Sequence, residues 1–311
     1  MTTVPDRAPD RASDGAPDRA PDGAPAAADD ALLAADVAAR AADVQVREVE
    51  RLEDLLEVTA LFDEIWRPNS DRPISTELMR AFAKAGNYVA GAYDADKLVG
   101  ACVGFFAPPA DAVLHSHIAG VSARVAGRHV GVALKLHQRA WSLQRGITRI
   151  EWTFDPLIAR NAYFNLVKLG GTPAEYLPNF YGGMKDGING GDDSDRLLLH
   201  WDLLAPRVLS ACAGEYVPSD AAALRAAGAV IALERGAGDA PVRPSSAAGG
   251  TALVGLPHSI EAMRLSDPAR AREWRAALRE VLAGLMADGG RVTGFDRAGW
   301  YVVETEQRGA L

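Results

Sequence analysis

Residues 115–134 read HSHIAGVSARVAGRHVGVAL, a β-strand that enters a turn rich in glycine and arginine and leaves it as a helix. The turn, Ala126-Gly127-Arg128-His129-Val130-Gly131, brings a run of backbone N–H groups to the first turn of a helix starting near Val130. Unpaired amides and the positive end of the helix dipole favour an anion at that point, and a pyrophosphate fits such a cradle. The other reading of the same residues is packing alone, two glycines that let a helix lie close on a strand. The rest of the chain has to decide between them.

Hydrophobic spacing supplies an order of elements. Val44, Val46 and Val49 suggest a strand edge, and Leu52, Leu55, Leu56, Thr59, Phe62 and Ile65 recur at helical spacing up to Pro68. A short helix after Ser75 carries Leu78, Met79 and Phe82, and two apolar strands, 88–93 and 98–106, flank a turn at 94–97. A strand over 113–121, a helix over 130–145, a strand over 147–154, a helix over 156–169 and a strand over 196–203 follow. Hairpin, strand, helix, strand, helix, strand is an α/β layer architecture with helices on both sheet faces.

Two stretches stand outside that order. Residues 1–28 repeat APDR or APDG with almost no large apolar side chain, too little to offset the entropy of ordering, and the alanine-rich 30–42 reads as a frayed helix or a linker. Beyond 204, a Gly/Ala/Pro/Ser-rich loop at 237–250 precedes a helix opening at Asp267-Pro268, with Trp274, Leu278, Val281, Leu282 and Leu285 on one face. Strands at 291–295 and 300–303 complete a βαββ extension packed on the core. The expected organisation is thus a disordered arm over 1–43, a main domain over 44–204 and an extension over 205–311.

A net charge of −8 argues against bulk electrostatic binding to nucleic acid. The chain has neither a secretory signal nor an apolar run able to span a bilayer, so a cytoplasmic protein without a membrane partner is expected. Cys102 falls in an apolar strand and reads as a buried thiol, and no CxxC or HExxH spacing points to a metal.

Val121, the turn 126–131 and Leu134 resemble the cofactor motif of the GNAT acyltransferases, VxPxxRGxGxGxxL, with Ala126 where the family has Arg or Gln and His129 where it has Gly. A side chain at 129 fits if φ stays negative, and Arg124 or Arg128 could supply the lost charge. The stretch RNAYFNLVKLGG, 160–171, resembles the family's NxxAxxxYxKxGF: Ala162, Lys168 and Gly170 fall in place. The helix-starting Asn falls on Ala159, with Asn161 two residues late, and the Tyr falls on Leu166. WTFDPL, RNAxxNLxKLG, YxPNxYG and SDRxxxxW, at 152–157, 160–170, 176–182 and 194–201, resemble a poorly characterised branch of that superfamily. The resemblance implies a GNAT fold, a mixed central sheet with helices on both faces, plus a C-terminal α+β extension. It implies acetyl-CoA or another acyl-CoA as cofactor, held by Arg124, Gly127, Arg128, His129, Val130, Gly131 and Asn161. Backbone amides around Ala119 to Val121 would hold the pantetheine and polarise the thioester carbonyl.

Transfer to an amine needs an acceptor nitrogen stripped of its extra proton. His115 and His117, at i and i+2 of the strand before the turn, project from one face of the sheet, and an imidazole is matched to that task. Their spacing to Val121, HxHxxxV, resembles that of the arylalkylamine N-acetyltransferases, where paired histidines serve in proton removal. Either histidine could equally be a satisfied polar group of a half-buried strand. Tyr176, Asn179, Phe180 and Tyr181 on one side, with Trp66 and Asn69 on the other, form a candidate acceptor cleft or else plain core and turn. Asp155 and Asp195 could hold an ammonium, though Asp155 before Pro156 also suits a helix cap. The expected activity is transfer of an acyl group from acyl-CoA to a small-molecule amine, by direct attack. The competing reading is a noncatalytic acyl-CoA-binding or regulatory module, which Leu166 and the altered turn favour and the two histidines oppose.

Overall fold

The strands of the hairpin are buried along nearly their whole length, so their sheet has to be covered on both faces. In a computed structural model, which describes residues 24–66, 74–182, 193–244 and 250–305, the first part of the chain runs in this order: α1 (Ala24–Ala41), β1 (Gln45–Glu48), α2 (Leu52–Trp66), α3 (Thr76–Lys84), β2 (Val89–Asp94), β3 (Lys97–Phe106), β4 (Val113–Val121), α4 (Val130–Leu143), β5 (Arg149–Phe154), α5 (Ala159–Ala162), β6 (Thr172–Leu177) and β7 (Arg196–Asp202). The strands form one sheet in the order β1-β2-β3-β4-β5-β7-β6; β4 and β5 are parallel and all other neighbours antiparallel. Leu55, Val58 and Phe62 of α2 and Met79 of α3 cover one face, against Val89, Ala101 and Val103. Leu134, Leu136 and Trp141 of α4, with Ala162 of α5, cover the other, against Tyr88, Cys102, Leu114 and Ile150.

α1 corrects the expectation of an unordered arm for residues 24–41. Ala28, Ala31 and Ala35, three and four residues apart, are buried where α1 lies on α4, and side chains this small let two helices approach closely. The APDR repeat over 1–23 lies outside the described residues. The expected helix over 156–169 also changes form. Asp155 Oδ1 accepts from the Leu157 N–H at 2.9 Å, so the chain turns first, α5 starts at Ala159, and Tyr163–Lys168 continue it as a π-helix. The sequence pattern does not reveal β6, in which Pro173 interrupts a short segment.

The remainder comprises α6 (Pro206–Cys212), α7 (Ala221–Ala226), β8 (Val230–Arg235), β9 (Pro241–Val242), β10 (Gly250–Gly255), α8 (Ile260–Ser266), α9 (Pro268–Leu278), α10 (Gly284–Ala287), β11 (Arg291–Asp296) and β12 (Trp300–Thr305). Its strands make a second sheet, β11-β12-β10-β8-β9. One apolar cluster runs from Leu114, Ile150 and Trp201 into Leu256, Trp274, Phe295 and Tyr301. Charge joins the two parts as well. Asp155 accepts from Arg264 at 2.6 Å and from Arg275 at 2.8 and 2.9 Å, and Asp195 accepts from Arg279 at 2.6 and 2.9 Å. Burial pushes the Asp155 carboxyl up, but the Arg275 and Arg264 guanidiniums outweigh it and hold it well below the usual carboxylate range.

Candidate active site

β4 and β5 share three rungs, Val113–Arg149, Leu114–Ile150 and His115–Glu151, and then part, although β4 runs on to Val121 and β5 to Phe154. A bulge in β4 stands where they part. Val103 of β3 faces Ile118 but Gly104 faces Ser116, so His117 is the extra residue, and an extra residue bends its strand away from its neighbours. The gap is a cleft of about 280 Å³ lined by residues 116–121 of β4, by Gly131, Leu134 and Lys135 of α4, by Trp152, Thr153 and Phe154, and by Asn161, Phe164 and Asn165. Past the last rung, the β4 backbone groups aimed at β5 have no strand to pair with, which leaves them for a ligand or water. His117, Ala119, Val121, Gly131 and Asn161, all singled out from the sequence, line this one cleft.

The start of α4 lies at the cleft. Val132 and Ala133 donate back to the His129 carbonyl, leaving the Val130 and Gly131 amides as the outward N–H groups of the first turn. A Cβ at Gly131 would meet Phe164 only at 3.7 Å and Val121 at 3.9 Å, ordinary contact, so there is room beside the helix start. Gly127 and His129 both have left-handed backbone, φ +84° and +63°. This corrects the expectation of negative φ at 129: an imidazole occupies a conformation that costs a non-glycine residue about 1–2 kcal/mol. The two arginines are also used otherwise than expected. Arg128 donates to Asp94 at 2.6 Å and to the carbonyls of Ala42 and Asp43 at 3.0 and 2.6 Å, tying the turn to the α1–β1 connection. Arg124 binds Glu64 at 2.6 Å and Ser122 at 3.2 Å. The cation beside the turn is Lys168, its Nζ 3.2 Å from His129 Nδ1. Burial, then the charge of Arg297, lowers its pKa.

Two residues on along the strand, His117 keeps to the side of His115, and the bulge brings Ile118 to that side as well. The two imidazole rings lie 6.3 Å apart, and both lie against Phe105, at 5.0 Å for His115 and 5.8 Å for His117. Strand register adds a carboxylate that sequence reasoning missed. His115 faces Glu151 and Glu151 faces His200, which puts Glu151 between two imidazoles, 3.8 Å from His115 and 3.9 Å from His200. Both distances are too long for hydrogen bonds. Burial and then the neighbouring His117 lower the His115 pKa, and Glu151 opposes them. The balance biases His115 towards its neutral form, in which one ring nitrogen can accept a proton.

The expected acceptor residues divide. Trp66 packs directly on β4, because Gly120 has no Cβ where one would come within 2.7 Å of the indole. Tyr181 reaches the cleft rim through a 3.1 Å hydrogen bond between its hydroxyl and that of Thr153. Tyr176 and Asn179 depart from expectation. The Tyr176 hydroxyl is buried and donates to Asp195 at 2.7 Å, and the Asn179 N–H donates to the other Asp195 oxygen at 2.9 Å. Both build the joint with Arg279, and the arginines also take up Asp155 and Asp195, the candidate ammonium ligands. Asn69 lies outside the described residues. At the closed end, Lys135 went unnoticed in the sequence, since a lysine among buried helix residues gives no motif signal, and Trp152 stands out there only as the first residue of WTFDPL.

No protein-family model matches the chain, and no curated protein matches it. Solved structures similar to it include the ribosomal-protein-S18-alanine N-acetyltransferase from Escherichia coli, 12% identical, covering 51% of this chain and 94% of that one at a TM-score of 0.43. An acetyltransferase of the GNAT family from Streptococcus pneumoniae is 15% identical over 50% of this chain and 97% of its own, with a TM-score of 0.41. A GNAT superfamily phosphinothricin acetyltransferase from Sinorhizobium meliloti, in complex with acetyl-CoA, is 14% identical over 51% and 87%, with a TM-score of 0.42. From β1 to β7 the chain keeps the element order that the motif resemblance implies, a mixed sheet with helices on both faces and a further α+β part behind it.

Proposed function

We propose that the chain is an acyltransferase that takes an acyl group from acyl-CoA, bound in the cleft between β4 and β5, and passes it to the amine of a small molecule by direct attack. The observation that carries this reading is the parting of two parallel strands at the His117 bulge, in line with an open helix start at Gly131. The residues suit such a ligand. The Val130 and Gly131 amides, with Lys168 beside them, would receive the pyrophosphate, and the unpaired edge of β4 from Ile118 to Val121 would pair with the amides of the pantetheine arm. Acyl-CoA supplies, when bound, the thioester carbon that the amine attacks. The chain's own part lies on the α2 face. Glu151 draws the acceptor ammonium towards the histidines, and His117 on the cleft wall takes its proton, with His115 next to it as a second acceptor. Trp66 and Tyr181 bound the approach.

A second reading, acyl-CoA binding without turnover, draws on Leu166, which is wholly buried where the resemblance calls for a proton-donating tyrosine. Calorimetry with CoA and thiol release from acetyl-CoA in the presence of amine pools separate the two. CoA binding with release supports the enzyme, and binding without release supports the module. Gly131→Leu fills the cleft beside the helix start without a backbone clash, and is expected to weaken CoA binding at least about tenfold, the order of one lost charged hydrogen bond. An unchanged affinity in that variant, or no affinity in the parent protein, refutes the placement.

A further inference from the structure

Lys135 is buried in the second turn of α4, 4% exposed, with its ammonium at the cleft. Nζ donates to Ser116 Oγ at 2.9 Å and to Gln138 Oε1 at 3.0 Å, and lies 3.6 Å from the centre of the Trp152 ring. Every one of these partners is uncharged. No carboxylate pairs with Lys135 among the described residues, and Glu151, in the neighbouring strand, is turned to His115 and His200. Burial lowers the Lys135 pKa to about 8, which leaves it mostly protonated at neutral pH. A buried ammonium is tolerated when a counter-charge meets it; among the described residues no carboxylate does so, and burial pushes the neighbouring Cys102 thiol up, towards its uncharged form.

Its position says what could provide one. Ser116 follows directly on the His115–Glu151 rung, so Nζ stands at the closed end of the cleft. From there to Val121, beside the start of α4, β4 covers about 14 Å, since the bulge sets Ser116 to Val121 against only the four steps of β3 from Gly104 to Gly100 at about 3.4 Å each, within the reach of an extended pantetheine arm. With the pyrophosphate at Gly131, as the proposed function has it, the group that arrives at Lys135 is the acyl group. We propose that the closed end of this cleft accepts an acyl group ending in a carboxylate, with Lys135 as its counter-ion, so that the donor is the CoA monothioester of a dicarboxylic acid. Ser116 and Gln138 hold the ammonium in place, and its face contact with Trp152 is the one a carboxylate replaces, since a charged hydrogen bond outweighs a cation on a ring.

The inference rests on acyl-CoA binding in the cleft, and the test keeps the two apart. The full chain is titrated calorimetrically with CoA, with succinyl-CoA against butyryl-CoA, and with malonyl-CoA against propionyl-CoA. In at least one pair the acidic thioester is expected to bind tighter by about tenfold or more, the size of one charge-assisted hydrogen bond. Lys135→Met is expected to abolish that advantage while leaving the affinity for CoA and butyryl-CoA in place. Equal or weaker binding of the acidic member in both pairs overturns the inference but leaves the acyl-CoA reading standing, as does an advantage that survives Lys135→Met. Failure to bind any of the five ligands overturns both. Should Lys135→Met not fold, the paired titrations of the parent chain decide the matter alone.

Discussion

His117 owes its place to a single extra residue in β4. Without the bulge, β4 could continue pairing with β5 past His115, and no cleft would open for an imidazole to border. The residue pattern HxH announced two histidines on one face, and the rings do share it, but neither the bulge nor Glu151 could be read there. Bulges leave no mark in a run of six residues, and Glu151 reaches His115 only through a strand register set by the whole sheet. His117→Ala is expected to lower kcat about a hundredfold or more, with a much smaller change in KM for acyl-CoA, because a proton acceptor acts after the cofactor is bound. A folded variant with the parental kcat assigns His117 a structural role. Glu151→Gln tests the neighbouring group from the other side. Burial and then His117 lower the His115 pKa, and Glu151 is the charge that opposes the fall, so removing it moves the His115 titration further down, as an NMR pH titration of the ring would record. An unmoved or raised titration removes Glu151 from the site's electrostatics.

The elements that the sequence made legible are those with strong apolar periodicity, α2, the β2–β3 hairpin, β4, α4 and β7. Those it concealed have a physical reason for being hard to see. α1 buries alanines in place of large side chains, so its apolar stripe looks like linker composition; its stability comes from close contact with α4, which no local signal reports. The π-helix at Tyr163–Lys168 differs from an α-helix only in hydrogen-bond register, and β8 and β10 are short strands whose parallel pairing depends on elements far apart in the chain. If α1 is part of the fold, a charge at its buried face is costly and one on its exposed face is not. Ala31→Asp, at 1% exposure, is expected to lower stability by about 2–3 kcal/mol, and Leu33→Asp, at 61% exposure on the same helix, by under about 0.5–1 kcal/mol. Urea denaturation of both variants is the measurement, and equal midpoints would return α1 to the status of an appended arm.

Across the molecule, the motifs WTFDPL and SDRxxxxW acquire a role that their residues alone did not suggest. Asp155 and Asp195 are their acids, and both face the C-terminal part, where Arg264, Arg275 and Arg279 stand 84 to 120 residues further along the chain. No local pattern announces partners at that distance, so an acid that looked available to an ammonium turns out to join two halves. Because Asp155 sits between two guanidiniums out of water, replacing it removes a buried anion that both of them hold. Asp155→Asn is expected to cost about 3–5 kcal/mol in urea denaturation and to open the C-terminal part to limited proteolysis before the first sheet. The pH dependence carries the sign of the effect. The folded-state pKa of Asp155 is depressed, so its contribution is fully present above the unfolded value of about 3.9 and is lost as pH falls below that, when the unfolded chain takes up a proton that the folded chain refuses. Below pH 4 the stability of the parent protein should therefore fall more steeply than that of Asp155→Asn, by up to about 1.4 kcal/mol per pH unit for that one proton, while above pH 5 the two curves run parallel. Parallel curves throughout would mean that Asp155 titrates alike in both states, and that the joint between the halves is held by the apolar cluster and not by this charge.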